Sequence, residues 1–340
     1  MLKLAIAAME RGLIPESVIR IGIRQLLKQR LRSQADPQQP TLEQFQAELE
    51  AGPIALHTDK ANEQHYEVPP EFFRHIMGRH MKYSACYWPE GVTSLDEAEA
   101  RMLALTCERA MLQDGQTILE LGCGWGSLTL WMAEHYPQAQ ITAVSNSTPQ
   151  RQFIEQTCAQ RQLDNVQVIT ADMNDFTTEQ RFDRVVSVEM FEHMRNYREL
   201  LARIASWLKP DGALFVHVFS HRQYAYPFET KSDDDWMAKY FFTGGLMPSR
   251  DLLPRFQRDL RLEDQWHLNG QHYQKTCEAW LSHHYRHREA ILAIFRDTYG
   301  SETEARLWFH RWQVFFLACA ELFGYRDGEE WGVSHYRFRA

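Results

Sequence analysis

The 340-residue sequence contains no apolar run long enough to span a membrane as a helix. Its six cysteines, Cys86, Cys107, Cys123, Cys158, Cys277 and Cys319, include no C-x-x-C pair, which points away from both a disulfide framework and a zinc site. Basic charge is not in excess. The net charge of −8 leaves no electrostatic footprint for nucleic acid. Internal repeats and low-complexity tracts are also missing. The first residues carry one lysine and a five-residue apolar stretch before Glu10 and Arg11, too short for a signal peptide. A soluble, cytoplasmic protein is the expectation. What is present in quantity is apolar: 44% hydrophobic and 12% aromatic residues can furnish both a full core and an apolar pocket.

The chain divides into three parts. Residues 1–93 read as a helical extension that covers the ligand sites, 94–220 as an α/β core, and 221–340 as a cap insertion followed by a final core strand. Near the start, two short amphipathic helices are separated by Gly12 and Pro15, and Arg32 to Gln44 reads as a polar linker. The basic amphipathic face suits packing on the rest of the chain, or on a second copy in a homodimer; contact with a membrane surface is the less favoured use. From Ser94 helices alternate with short β-rich runs: TILEL, QITAVS, VQVITA, RVVSV and ALFVHVF. This alternation predicts a parallel sheet covered on both faces, a Rossmann-like α/β fold with ligands beyond the carboxyl ends of the strands. WGVSHYRF closes the chain as a further strand.

The first strand runs into Gly122-Cys-Gly124-Trp-Gly126, with Glu120 two residues ahead of the first glycine. Alternate glycines permit a tight turn and close approach of a ligand to backbone. The spacing is not the G-x-G-x-x-G of nicotinamide binders, and a carboxylate suits the amino group and sulfonium of S-adenosylmethionine (SAM) better than a pyrophosphate. The second strand ends at Ser145, with Gln150 close behind, neutral groups able to bind a ribose diol. After the third strand, Asp172 can accept from an adenine amino group, or cap a turn, and Met173 can pack on the ring. The fourth strand leads into Glu189-Met-Phe-Glu192-His193, two carboxylates and a histidine where a methyl group would be delivered.

Taken with HYEVP, YSACYW, LDEAE, CERA, LELGCGWGSL, FEHMRNY, HRQYAYPFE, DDDWMAKYFFTGGLMPS and ELFGYRDGEEWGVSHYRF, these motifs resemble, nearly end to end, the cyclopropane-fatty-acid-synthase superfamily of SAM-dependent methyltransferases, most of all its coclaurine N-methyltransferase branch. The resemblance implies a class I methyltransferase core, SAM as methyl donor and no metal. It implies that Tyr83 and Ser84 touch the donor's methionine end, the loop around Gly122 lines the donor, and Ser145 and Gln150 bind its ribose. Cyclopropane synthases carry a Y-S-C-A-Y-like motif, hold a bicarbonate, and have glycine where this chain has Glu189. Here Ala85 precedes Cys86, as in the N-methyltransferases.

These departures favour methylation of an amine nitrogen, and the resemblance implies that the amine is small, cyclic, aromatic-bearing and of benzylisoquinoline type; the alternative is a cyclopropane-synthase-like lipid methyltransferase. An ammonium must be attracted and then deprotonated before it can attack. Glu67 and Glu192 are expected to hold the amine, His193 to act as base, and Glu189 to orient His193 or add negative potential. Tyr226, Trp236, Phe241, Phe242 and Trp331 are candidate walls of the acceptor pocket, although large aromatics commonly fill cores. His283, His284 and His287 read as a solvated helix face rather than a metal site, and Asp233 to Asp235 as an acidic helix start.

Overall fold

The computed structural model describes residues 2–56, 68–228 and 236–340. Glu67 and Asp233 to Asp235 lie outside the described residues. A seven-stranded sheet organises the chain, formed by β1 (Thr117–Leu121), β2 (Gln140–Ser145), β3 (Val166–Thr170), β4 (Phe182–Val188), β5 (Leu208–His221), β8 (Arg261–Leu268) and β9 (Trp331–Arg339) in the order β3-β2-β1-β4-β5-β9-β8. The pairs from β3 through β5 are parallel, and β9 runs antiparallel between β5 and β8. The order reverses between β1 and β4, which places the switch point at the glycine turn after β1.

Period-two burial explains why both sheet faces are covered. Ile118 and Val186 point into one cluster with Leu103 of α5 (Leu95–Arg109) and Leu128 and Met132 of α6 (Ser127–His135). Leu119, Leu121 and Val185 point into another, with Leu200, Leu201 and Ile204 of α8 (Tyr197–Trp207). Helix α5 begins at the expected cap: Ser94 Oγ accepts from Glu97 N at 3.3 Å. Helix α7 (Thr148–Arg161) follows β2, and its Ile154 packs with Leu130 of α6 and Ala143 of β2.

A largely helical layer sits over the strand ends. It contains α4 (Pro70–Ile76), α10 (Gln271–Arg286), α11 (Arg288–Tyr299) and α12 (Glu302–Gly324), together with the small hairpin β6–β7 (Tyr226–Pro227 with Leu246–Met247) and the short α9 (Trp236–Tyr240). The two N-terminal helices, α1 (Leu2–Glu10) and α2 (Glu16–Gln34), close one side. The basic face of α2 is partly used within the chain: Arg20 pairs with Glu278 at 2.7 Å and Glu321 at 2.9 Å, and Arg24 also pairs with Glu321.

Three sequence readings are corrected. The polar linker gives way at Leu42 to α3 (Leu42–Glu50), started by a reciprocal Thr41–Gln44 capping box. Residues 261–268, read as part of the cap, form edge strand β8; its strictly alternating exposure gives it few apolar residues to signal a strand. His283, His284 and His287 are not a solvated face: they bond the carbonyls of Ile76, Phe309 and His75, and His284 is fully buried.

Candidate active site

A cavity of about 890 Å³ lies between the carboxyl ends of the strands and the helical layer, bounded on its far side by α1 and α2. A smaller space of about 60 Å³ adjoins it; Gly122, Gly124, Gln150, Met190 and His193 line both.

The glycine turn forms one wall. Gly122, Gly124 and Gly126 all have positive φ, between +52° and +81°. A Cβ on Gly122 would come within 2.7 Å of the Met190 side chain, whereas one on Gly124 would meet nothing within 4 Å, because that residue faces open space. Gly126 lines neither cavity; a Cβ there would stand 2.6 Å from Ile154. Glu120 lines the large cavity and is held by Thr129 Oγ1, which donates at 2.5 Å; burial pushes its carboxyl up to about 8. Ser145 Oγ donates to Gln150 Oε1 at 2.8 Å, which fixes the amide and leaves Gln150 Nε2 buried with no hydrogen-bond partner among the described residues. Met173 lines the small space with Ser145. Asp172 lines neither; its Oδ1 accepts from Asn174 N at 2.7 Å and caps the turn after β3.

The opposite wall carries charge. Glu189 follows β4 with φ +49°, a left-handed conformation that costs a non-glycine residue about 1 kcal/mol. Three donors converge on its carboxylate. Oε1 takes Ala85 N–H at 2.9 Å and His217 Nε2 at 3.1 Å, and Oε2 takes the Tyr273 hydroxyl at 2.6 Å. Burial pushes this carboxyl above its ordinary range, and the charge of Lys82, the Ala85 N–H and the Tyr273 hydroxyl offset part of that rise. Glu192, on the 3-10 turn Phe191–His193, is more deeply buried than Glu189, yet its Oε2 has no hydrogen-bond partner among the described residues. Burial, then the charge of Glu189, pushes its carboxyl well up. His193 completes the cluster, its ring near-parallel to Phe242 at 6.2 Å.

Tyr83 and Ser84 line the cavity from the segment before α5. Lys82, which the sequence reading missed, is buried there and donates from Nζ to Ser84 Oγ at 2.5 Å and Ala85 O at 2.7 Å. Of the candidate aromatic walls, Tyr226, Trp236 and Phe242 face the cavity. Phe241 and Trp331 do not. Phe241 stacks on Phe315 at 4.4 Å inside the helical core, and Trp331 is buried beneath Tyr226, donating from Nε1 to its hydroxyl at 3.1 Å. Their places are taken by Tyr273, Trp280, Phe228 and Phe315, with Ile19 and Ile23 of α2. No group of three or more His, Cys, Asp or Glu side chains able to hold a metal occurs among the described residues.

Sheet order, glycine turn and a cavity at the switch point define a class I SAM-dependent methyltransferase. The chain belongs to the mycolic acid cyclopropane synthetase family, whose model matches residues 56–329. It is 39% identical over 338 residues to (S)-coclaurine N-methyltransferase of Thalictrum flavum subsp. glaucum, covering 97% of this chain and 94% of that one. A crystal structure of coclaurine N-methyltransferase bound to N-methylheliamine and SAH matches with a TM-score of 0.95 and 38% identity over 99% of both chains. Mycolic acid cyclopropane synthase CmaA1, complexed with SAH and CTAB, matches with a TM-score of 0.71 over 84% of this chain and 99% of that one; at 21% identity this shows the shared fold. The enzyme is therefore a SAM-dependent methyltransferase of the coclaurine N-methyltransferase kind.

Proposed function

We propose that this enzyme methylates the nitrogen of a small cyclic amine bearing an aromatic ring, of the benzylisoquinoline type. The observation that carries the reading is the pair of buried carboxylates in an aromatic-walled cavity. Glu189 is fully supplied with donors, and Glu192 Oε2 has none among the described residues. A buried carboxylate oxygen without a donor is costly unless a cation completes it, and a dialkylammonium is such a cation. Supporting this, the amide of Ala85, the imidazole of His217 and the hydroxyl of Tyr273 close on the carboxylate of Glu189. Cyclopropane synthases, to which the sequence bears its resemblance, have glycine at that position and a separate bicarbonate.

On the donor side, the Gly122–Gly124 backbone, Gln150 Nε2 and Glu120 suit the neutral and cationic groups of SAM, and Tyr83 and Ser84, which also line the cavity, are expected to touch its methionine end. SAM supplies an electrophilic methyl on a sulfonium. Glu192 draws in the ammonium and holds it, with Glu67 expected to assist. His193 takes the proton at a ring nitrogen, freeing the lone pair that forms the new N–C bond as the sulfonium S–CH3 bond breaks and its electron pair stays on sulfur, leaving SAH. Glu189 keeps negative potential beside His193, which favours the protonated imidazole that results. Trp280, Phe228 and Phe242 shape an apolar space for the ring and limit the amine to poses with its nitrogen toward the carboxylates.

The test is incubation with methyl-labelled SAM and two acceptor sets, a panel of cyclic secondary amines and unsaturated phospholipid vesicles, with the labelled product identified by mass. Label is expected in an amine, one methyl mass heavier. Label in lipid alone would overturn the reading.

A further inference from the structure

A file of side chains runs from the flank of the sheet to Glu189, and the mechanism above uses only its inner end. Arg109 closes α5, half-buried, with its guanidinium 4.9 Å over the Trp266 ring. Its Nη1 lies 2.8 Å from His335 Nδ1. His335 on β9 stands directly opposite His217 on β5 in the antiparallel register, and His335 Nε2 is 2.9 Å from His217 Nδ1. His217 Nε2 then reaches Glu189 Oε1 at 3.1 Å. Both imidazoles are fully buried.

Donor accounting fixes every hydrogen in this file. A guanidinium only donates, so His335 Nδ1 must present a lone pair and carry its hydrogen on Nε2. That hydrogen is donated to His217 Nδ1, so the hydrogen of His217 sits on Nε2 and points at Glu189. Each ring has one nitrogen in use as an acceptor, so both are neutral. Consistently, burial holds both well below the ordinary histidine range. We infer that Arg109 is a positioning residue for the methyl transfer: acting through His335 and His217, it fixes which imidazole nitrogen faces Glu189 and so keeps that side chain an ionised acceptor beside the amine. The inference rests on the role proposed above for the charge of Glu189.

Without Arg109, both rings are free to carry their hydrogens on Nδ1. His217 would then turn a lone pair toward Glu189 Oε1, and the carboxyl would have to hold a proton to make that contact. The file is a lock and not an exit for the amine's proton, because a guanidinium does not give up a proton at working pH. The other groups around Glu189 are Lys82 and Cys86 from the segment before α5, Tyr273 and Cys277 from α10, and Glu192 and His193 from the turn after β4. Of these, Lys82 and, when protonated, His193 bring positive charge to Glu189, so loss of Arg109 should shift its ionisation and not abolish it.

The experiment compares wild type, Arg109→Met and Arg109→Lys by kcat/KM for the amine across pH, and by long-range nitrogen–proton spectra of 15N-histidine-labelled enzyme. Signals of the file are assigned by their loss in His335→Ala and His217→Ala. In wild type both rings should appear as the Nε2–H form. In Arg109→Met the acid limb should move to higher pH by about one unit, a roughly tenfold loss below the limb, and His217 should show mixed tautomers, with SAM affinity unchanged. Arg109→Lys, still a pure donor, should restore part of both. If Arg109→Met does not fold, His335→Phe cuts the same file and carries the same expectation for the acid limb. An acid limb and a His217 tautomer identical to wild type would overturn the inference. If wild type labels no amine, the amine reading and the methyl-transfer role of Arg109 fall together, while the tautomer spectra still decide whether Arg109 fixes the nitrogen that faces Glu189.

Discussion

Across the cavity, the two walls are built by opposite means. On the proposed donor side, the turn after β1 and the Ser145–Gln150 pair at the end of β2 present backbone and neutral groups within residues 120–150, joined by Tyr83 and Ser84. On the proposed acceptor side, charged groups and the donors that hold them are assembled from separate stretches of chain: Lys82 and Ala85, the Glu189–His193 turn, His217 and Tyr273. The donor wall suits a ligand whose shape does not vary. The acceptor wall needs a controlled protonation state, and control requires neighbours on every side. The two carboxylates differ within that wall, since Glu189 is held by three donors and Glu192 Oε2 by none among the described residues.

The comparison predicts separable losses. The largest should follow His193→Ala and Glu192→Gln, each lowering turnover by roughly a hundredfold or more while SAM affinity by calorimetry stays at the wild-type value. Wild-type turnover in both would remove them from the mechanism. Next, Glu189→Gly should reduce turnover about tenfold; it should also lower the melting temperature, because the relief of the φ of +49° is smaller than the cost of leaving the Ala85, His217 and Tyr273 donors without their acceptor. Added formate or bicarbonate should recover part of that activity by returning a carboxylate to the three donors. Gln150→Ala should act on the other wall, weakening SAM by several-fold and leaving the amine's KM and pH profile alone.

The smallest effect concerns stability. Glu120 is pushed up to about 8 in the folded chain, so between its unfolded value of 4.5 and 8 the native state binds more protons than the unfolded state. Its contribution is fully present below pH 4.5 and is lost as pH rises through 8. The melting temperature of the ligand-free enzyme should therefore fall across that window, and Glu120→Gln should flatten the slope. Glu99, pushed up to about 7 by burial, leaves part of the slope in place.

How much could be read from the chain divides along the same line. The glycine turn, the alternating core strands and the Glu189–Glu192–His193 run are local in sequence, and periodicity or spacing exposes them. Lys82, Tyr273, Arg109 and His335 carry no local signal. They matter because the β5–β9 register sets His335 against His217, and because α10 brings Tyr273 under Glu189. Strand β8 was missed because an edge strand with one solvated face reads as a polar segment. Phe241 and Trp331 were misplaced because composition cannot tell an aromatic that walls a cavity from one that packs behind it. Tyr226 and Trp331, joined by a hydrogen bond, fall on the two sides of that distinction.

The central claim is that the acceptor wall recognises positive charge on nitrogen. It is tested most directly by calorimetric binding, in the presence of SAH, of a quaternary ammonium analogue of the methylated amine and of its neutral carbon isostere. The account predicts that wild type binds the ammonium at least about tenfold more tightly, equivalent to about 1.4 kcal/mol, and that Glu192→Gln removes most of that preference. Equal affinity for the two ligands in wild type, or a preference for the isostere, would contradict it.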